Sequence, residues 1–425
     1  LNKPTEYPNL YLTGPLVSTY QPEAFEVDDP PIVKVNSKEE AISLVQKQLP
    51  LKPDFIKIWY IVTTNQTAES TYEIVETTIA ESHKNGLKVA VHATQLNTAK
   101  LAVKAGADIL VHSVDDPIDE DFIRLLEENN VIYIPTMVVH GNYFETFDQN
   151  PSLTKEDFTF SNPFPLGSHF DSRHLPKGNI FEQFGNFRPQ MEARMKTQDS
   201  IRSENLKLLS ETSVTISTGT DAGNIGTLHA SSFYDEIDYM KKAGLTDAQI
   251  LKASTINGAK VLGKEAEFGS IEVGKTADLV ILNSNPLEKI DAIKEIEYVI
   301  KGGNLMHPDS ILIESPENLV QQQLNAYNAR NIDAFLEPYS DDVEIFNFPN
   351  NPSGKGKSQI RPGYKYMFDN YTDLHCELVN RMVLGNTVID QERVYGFPNL
   401  DVLEAIAIYK IENNKIAKVY FIRNE

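Results

Sequence analysis

Short β-branched apolar runs alternate with longer amphipathic segments through residues 9–262. This alternation predicts repeated strand–helix units, with strands ending near residues 17, 62, 93, 114, 139 and 222. A Ser-x-x-Glu capping box opens a helix at 37–48, and Gly86 and Gly106 stop the helices before the strands that end near 93 and 114. Further helices are expected at 69–85, 119–129, 191–210, 230–243 and 246–262. A βα repeat of this kind predicts an α/β fold with a parallel sheet.

Residues 89–116, VAVHATQLNTAKLAVKAGADILVHSVDD, are the most informative stretch. Two strands joined by a crossover helix must run parallel, so their C-terminal ends share one edge of the sheet. His92 and His112 end those two strands and should stand side by side on the edge where α/β proteins bind ligands. Each histidine alone reads as a hydrogen-bonded core residue; the pair at equivalent strand ends points to a metal. The strand FIKIWYIV at 55–62 holds a further anomaly, Lys57. Either it reaches water at the strand end, or burial lowers its pKa and readies it for carboxylation by CO₂ into an anionic metal ligand. Asp221 follows the β-branched run VTISTGT and reads as a strand-end carboxylate or as the cap of the next helix.

Residues 141–190 interrupt the repeat with a stretch rich in Phe, Asn and Pro. It is read as a lid that adds apolar contacts over the sheet edge. From 263 to 310 short strands and glycine turns predict a small β satellite, and 316–425 reads as a separate α+β domain, two helices followed by a strand meander. The domains expected are therefore 1–262, 263–310 and 316–425.

At 425 residues and 41% hydrophobic the chain can bury a large core in two or three domains. Its formal charge of −21 argues against nucleic acid and anionic lipid as partners. No apolar run is long enough for a membrane span. Cys376 is the sole cysteine, which excludes an intrachain disulfide and a thiolate zinc site. Leu1 opens the chain without a signal-peptide pattern, and localisation stays open.

The order Lys57, His92, His112, Asp221 at successive strand ends resembles the metal-dependent amidohydrolase superfamily. TGTDAG, KKAGLTDAQILKASTINGAKVLG and FGSIEVGKTADLVILNSNPL resemble its imidazolonepropionase-like and prolidase-like branch. The resemblance implies a (β/α)8 barrel, a carboxylated Lys57 bridging two metals, His92 and His112 on the second, and Asp221 on the first as proton carrier. It also implies a His-x-His pair on the first strand, which this sequence lacks; with six strands counted against eight, two βα units would precede Leu1. Imidazole and carboxylate ligands favour zinc, one or two ions, with other divalent metals possible. The function implied is hydrolysis of an amide, peptide or cyclic amide C–N bond by a metal-activated water, with His140 and His229 contacting the substrate. LNAYNARNIDAFLEPYSDDVEIFNFP resembles the nuclear-transport-factor-2-like, or SnoaL-like, domain. This implies a cone-shaped pocket and dimerisation through that domain, with His375, Glu377 and Asp390 as polar strand residues. The competing reading is a catalytically incomplete barrel whose C-terminal domain binds or isomerises a small apolar ligand.

Overall fold

The computed structural model describes residues 8–20, 28, 30–63, 66–176, 178, 180–311 and 314–423. The chain divides into two compact units. The first is Leu1–Gly141, Pro189–Asp221 and Asp235–Ile311; the second is Asn142–Arg188, Ala222–Tyr234 and Leu312–Glu425.

The first unit is built on a seven-stranded sheet in which every pairing is parallel. Its strands are β1 Leu16–Ser18, β2 Ile32–Lys34, β3 Phe55–Trp59, β4 Lys88–His92, β5 Ile109–Val111, β6 Ile132–Ile134 and β7 Thr215–Ile216. The spatial order is β2-β1-β3-β4-β5-β6-β7, and among the described residues no pairing joins β2 to β7. The α/β class expected from the βα alternation is the one observed. Strand β2 lies where a loop was expected; three residues are too few to show a period. The remainder of that loop, 21–27 and 29, lies outside the described residues.

One expected strand is shorter than the sequence suggested. The run 131–139 ends as a strand at Ile134, and a helix, Val138–Phe147, starts three residues after Pro135. Proline has no N–H to give to the ladder, so the strand stops before it. His140 consequently sits in the first turn of a helix rather than past a strand end.

The register sets up two rows of side chains across one face of the sheet. Lys57 pairs with Ala90, Ala90 with Ile109 and Ile109 with Ile132; one step on, Trp59 pairs with His92, His92 with Val111 and Val111 with Ile134. Ala90, Ile109 and Ile132 are buried together as an apolar cluster, with Val111 and Ile134 against it. Lys57 therefore stands in an apolar row directly below the row that holds His92. A three-stranded antiparallel sheet, β8 Leu279–Leu282, β9 Ile296–Lys301 and β10 Asn304–Met306, forms the expected satellite.

In the second unit six strands make a mixed sheet of order β12-β11-β16-β15-β14-β13. They are β11 Tyr339–Asn347, β12 Asn351–Lys355, β13 His375–Leu384, β14 Thr387–Tyr395, β15 Leu403–Glu412 and β16 Lys415–Arg423. Helices Pro316–Asn328 and Lys357–Asn370 pack on it around buried Phe335, Tyr339 and Phe368. Among the described residues no helix is long and apolar enough to cross a membrane.

The interruption at 141–190 is not irregular. It holds helices Lys155–Phe160, Pro163–Asp171 and Ile180–Gly185 and clusters with the C-terminal domain. Asn325 donates to the carbonyl of Pro163 at 2.6 Å, and Gly167 lies so near Asn325 and Gln321 that a Cβ there would meet both at about 3 Å. Beside them the rings of His174 and His375 stack with centroids 3.6 Å apart. Burial pulls His375 down to about 4, and His174 is lowered too. Both histidines then bind protons more readily unfolded than folded. Stability from this stack is present above the ordinary histidine pKa and is lost as pH falls toward 4. Acid titration followed by circular dichroism should show this loss, and a His375→Phe variant should reduce its pH dependence.

Candidate active site

Four of the residues singled out by sequence come from one sheet edge. β3, β4 and β5 run parallel, so Trp59, His92 and Val111 reach the same level, and His112 follows at once. The rings of His92 and His112 lie with centroids 4.6 Å apart at 63°, and Trp59 meets His92 edge-on at 5.9 Å. Lys57, His92 and His112 are half-buried, while Asp221 is exposed in the segment after β7.

Electrostatics make this edge unusual. Desolvation, then the neighbouring His112 and Lys57, hold His92 well below the ordinary histidine pKa; Asp221 opposes the shift. His112 is likewise pushed well below by desolvation, Lys57 and His140. Both imidazoles are thus neutral at physiological pH, the form that binds a metal. Desolvation lowers Lys57 to about 8 against the attraction of Asp221. At pH 7 roughly one Lys57 in ten is then an uncharged, nucleophilic amine.

Backbone strain concentrates here. His112, Thr136 and Asp221 have φ of 76°, 45° and 54°, a region disfavoured for residues with a Cβ and most of all for a β-branched one. Such strain persists where surrounding contacts over-determine it. The amide of His112 donates to Ile134 O at 2.8 Å, and its Nδ1 is 2.8 Å from Thr136 Oγ1. Thr136 thereby fixes the ring and leaves Nε2 for another partner. The following loop is tied down by Arg202, whose Nε and Nη2 reach Asp115 Oδ1 at 2.9 and 2.7 Å, and by Asn205, which donates to Val114 O and Asp116 O.

His140 is half-buried and brought down to about 4 by desolvation and Arg202. Its charge is felt at both His92 and His112. His229 falls in the second unit, exposed, near Gly223. Among the described residues no three His, Cys, Asp or Glu side chains stand close enough to hold a metal ion together. The two neutral imidazoles fit a divalent cation as nitrogen donors.

Sequence reading missed Thr136, Arg202 and Glu236. Glu236, within YDEIDY, is wholly buried. Its Oε2 accepts from Val138 N at 2.9 Å, pinning the turn that carries Thr136, and Oε1 has no partner among the described residues. Burial raises Glu236 to about 8. Its folded pKa exceeds the unfolded one, so its share of stability is complete below about 4.5 and lost as pH rises to about 8. Glu236→Gln, which keeps the acceptor, should match the parent near pH 4.5 and exceed it by a few kcal/mol near pH 8 in thermal melts followed by Trp59 fluorescence. Equal melting curves at both pH values would refute that assignment.

The chain belongs to the amidohydrolase family, which its residues 39–306 match, and residues 320–419 match the SnoaL-like domain. It is 36% identical over 77 residues to imidazolonepropionase of Shouchella clausii, a match covering 17% of each chain. It is 24% identical over 244 residues to ochratoxinase of Aspergillus niger, 56% of this chain and 42% of that one. These matches span less than half the length of either curated relative. Among solved structures, one from Bifidobacterium longum described as a candidate prolidase superposes with a TM-score of 0.51 at 24% identity. It covers 69% of this chain and 65% of that chain and supports the shared fold.

Proposed function

We propose that this chain is a metal-dependent hydrolase of a C–N bond in a small amide, peptide or cyclic amide. The observation that supports it best is the neutral pair His92 and His112 beside a lysine whose pKa is lowered to about 8. His92 and His112 would hold a zinc ion. When bound, such an ion acts as a Lewis acid that polarises a carbonyl and makes water nucleophilic near neutral pH.

Lys57 supplies the missing anionic ligand by reacting with CO₂. The amine lone pair forms an N–C bond, one C=O π pair moves to oxygen, and the ammonium proton goes to solvent, leaving a carbamate. Asp221 is the other proposed ligand, for a second ion. This sequence offers no His-x-His pair for that ion. Asp221 takes a proton at its carboxylate as the nucleophile forms and returns it to the leaving nitrogen, the base and acid halves of one cycle. His140 is proposed to donate a hydrogen bond to the substrate, a role that its neutral form and its position near His92 and His112 support. His229 is proposed as a second substrate contact from its place in sequence after Asp221.

Carbon-13 NMR of the full chain in labelled bicarbonate with zinc should show a carbamate signal that Lys57→Met removes. Zinc-loaded protein should release free amine from a panel of Xaa-Pro dipeptides and N-acyl amino acids, detected by mass spectrometry. A zinc-loaded chain that lacks both the carbamate and any turnover would reject the proposal.

A further inference from the structure

The second unit holds a cleft of about 260 Å³ that the hydrolytic reading leaves unused. One wall belongs to residues 150–173, with Pro151, Leu153, Phe158 and Phe170 as its apolar part; the other is residues 328–331, where helix Pro316–Asn328 ends. The cavity of the SnoaL-like domain is a separate space of about 560 Å³, and no residue lines both. Three side chains of the cleft carry or can carry positive charge: His169, Arg173 and Arg330. Among the described residues no aspartate or glutamate lines it, in a chain whose formal charge is −21.

The fold does not consume these cations. Arg330 is half-buried, and among the described residues its side chain makes no hydrogen bond or ion pair. Its backbone closes the helix at φ 53°, the amide donating to Tyr327 O at 2.9 Å. Glycine would serve that turn at less cost, so the turn does not explain the guanidinium. Arg173 gives Nε to Gln149 O at 2.6 Å and Nη2 to Asn150 Oδ1 at 3.4 Å, which fixes its plane and leaves Nη1 without a partner among the described residues. His169 is 9% exposed, and its ring makes no hydrogen bond among the described residues. An imidazole so enclosed needs a partner, and the cleft it lines is a space that can hold one. Asp157, the acid whose charge reaches His169, is already engaged: its Oδ2 accepts from Thr154 N and Oγ1 at 2.7 and 2.9 Å.

We propose that this cleft is a binding site for a small organic carboxylate, whose two oxygens pair with Arg330 and Arg173 while the apolar wall covers a single ring or a short branched chain. Guanidinium matches a carboxylate through paired N–H donors, and a neutral imidazole at His169 adds one donor more. The four apolar side chains offer contact that a bare inorganic anion cannot use. A space of about 260 Å³ lies just below the range of drug-sized ligand sites and limits the ligand's body to about one ring. A neutral analogue of the same shape would leave both guanidinium groups without a counter-charge, so the site should reject it. This site stands independently of the metal chemistry proposed for His92 and His112.

The test is saturation-transfer NMR of the full chain titrated with benzoate. Saturable binding with a Kd on the order of 1 mM or tighter is expected, against no transfer to benzamide, the neutral counterpart. Inorganic phosphate should displace benzoate only at concentrations about tenfold higher than benzoate's own Kd. Arg330→Gln should weaken benzoate by about tenfold or more, and Arg330→Lys should restore part of the loss; a cation that served only the helix end would leave the affinity untouched. Leu153→Trp fills the apolar side while keeping every charge, and should abolish binding with circular dichroism unchanged. The His92→Ala and His112→Ala double variant should bind benzoate as the parent does, which separates this site from a metal-held carboxylate. No saturable binding, equal binding of benzamide or phosphate, loss of binding in the double variant, or an affinity unchanged in Arg330→Gln and Leu153→Trp would overturn the proposal.

Discussion

Asp221→Asn is expected to lower kcat for the amide substrate by about 10²–10⁴-fold, the usual contribution of a positioned proton carrier. The asparagine amide is nearly isosteric with the carboxylate and, like aspartate, tolerates the left-handed backbone at φ 54°. Fold and edge geometry should survive, and what goes is the capacity to take a proton and return it. The loss should therefore fall on kcat, with KM changed much less. Asp221 stands among neutral imidazoles and a lysine, with no other carboxylate among the groups that shift His92, so no obvious substitute exists on that edge. A variant that turns over at the parental rate would remove Asp221 from the mechanism.

The second large effect concerns stability. Arg381 binds Asp390 through two hydrogen bonds, Nε to Oδ1 at 2.7 Å and Nη2 to Oδ2 at 2.6 Å, while Nη1 donates to Gln321 at 2.8 Å. Side-chain exposure is 6% for the arginine and 0% for the aspartate. Removing the guanidinium in Arg381→Ala leaves a buried carboxylate without its counter-charge, a change that costs about 3–5 kcal/mol. Replacing both members by Arg381→Met and Asp390→Leu should recover most of that loss, because it also removes the desolvated charge. Trp59 reports on the first unit and Cys376 on the second. Urea curves read by Cys376 alkylation should move for Arg381→Ala, while those read by Trp59 fluorescence move less. Unchanged Cys376 protection in Arg381→Ala would contradict this account.

Much of the candidate site could be read from the chain because parallel βα units turn sequence order into spatial order. His92 and His112 had to meet once their strands were recognised, and Lys57 was conspicuous as a charge within FIKIWYIV. The supports could not be read in the same way. Thr136 lies in VIYIPTMVV, whose apolar pattern reads as one strand until Pro135 is given its due weight. Glu236 and Arg202 sit on helices where charged residues ordinarily face water, and only tertiary packing shows that both are buried. The insertion at 141–190 misled for a related reason: its helices are short, and their apolar contacts lie within the second unit, so no long period appears. In the C-terminal domain alternation located the strands but could not show that Asp390, one of the polar strand residues it offered, is held by Arg381.

The central claim is that His92 and His112 form a metal site, and metal content per chain by mass spectrometry tests it most directly. The measurement compares the parent with a His92→Ala and His112→Ala double variant after dialysis against zinc and then against metal-free buffer. The account predicts roughly one or more tightly held divalent ions per parent chain and their loss in the double variant, with circular dichroism unchanged. A folded parent that retains no metal, or a double variant that retains as much as the parent, would contradict it.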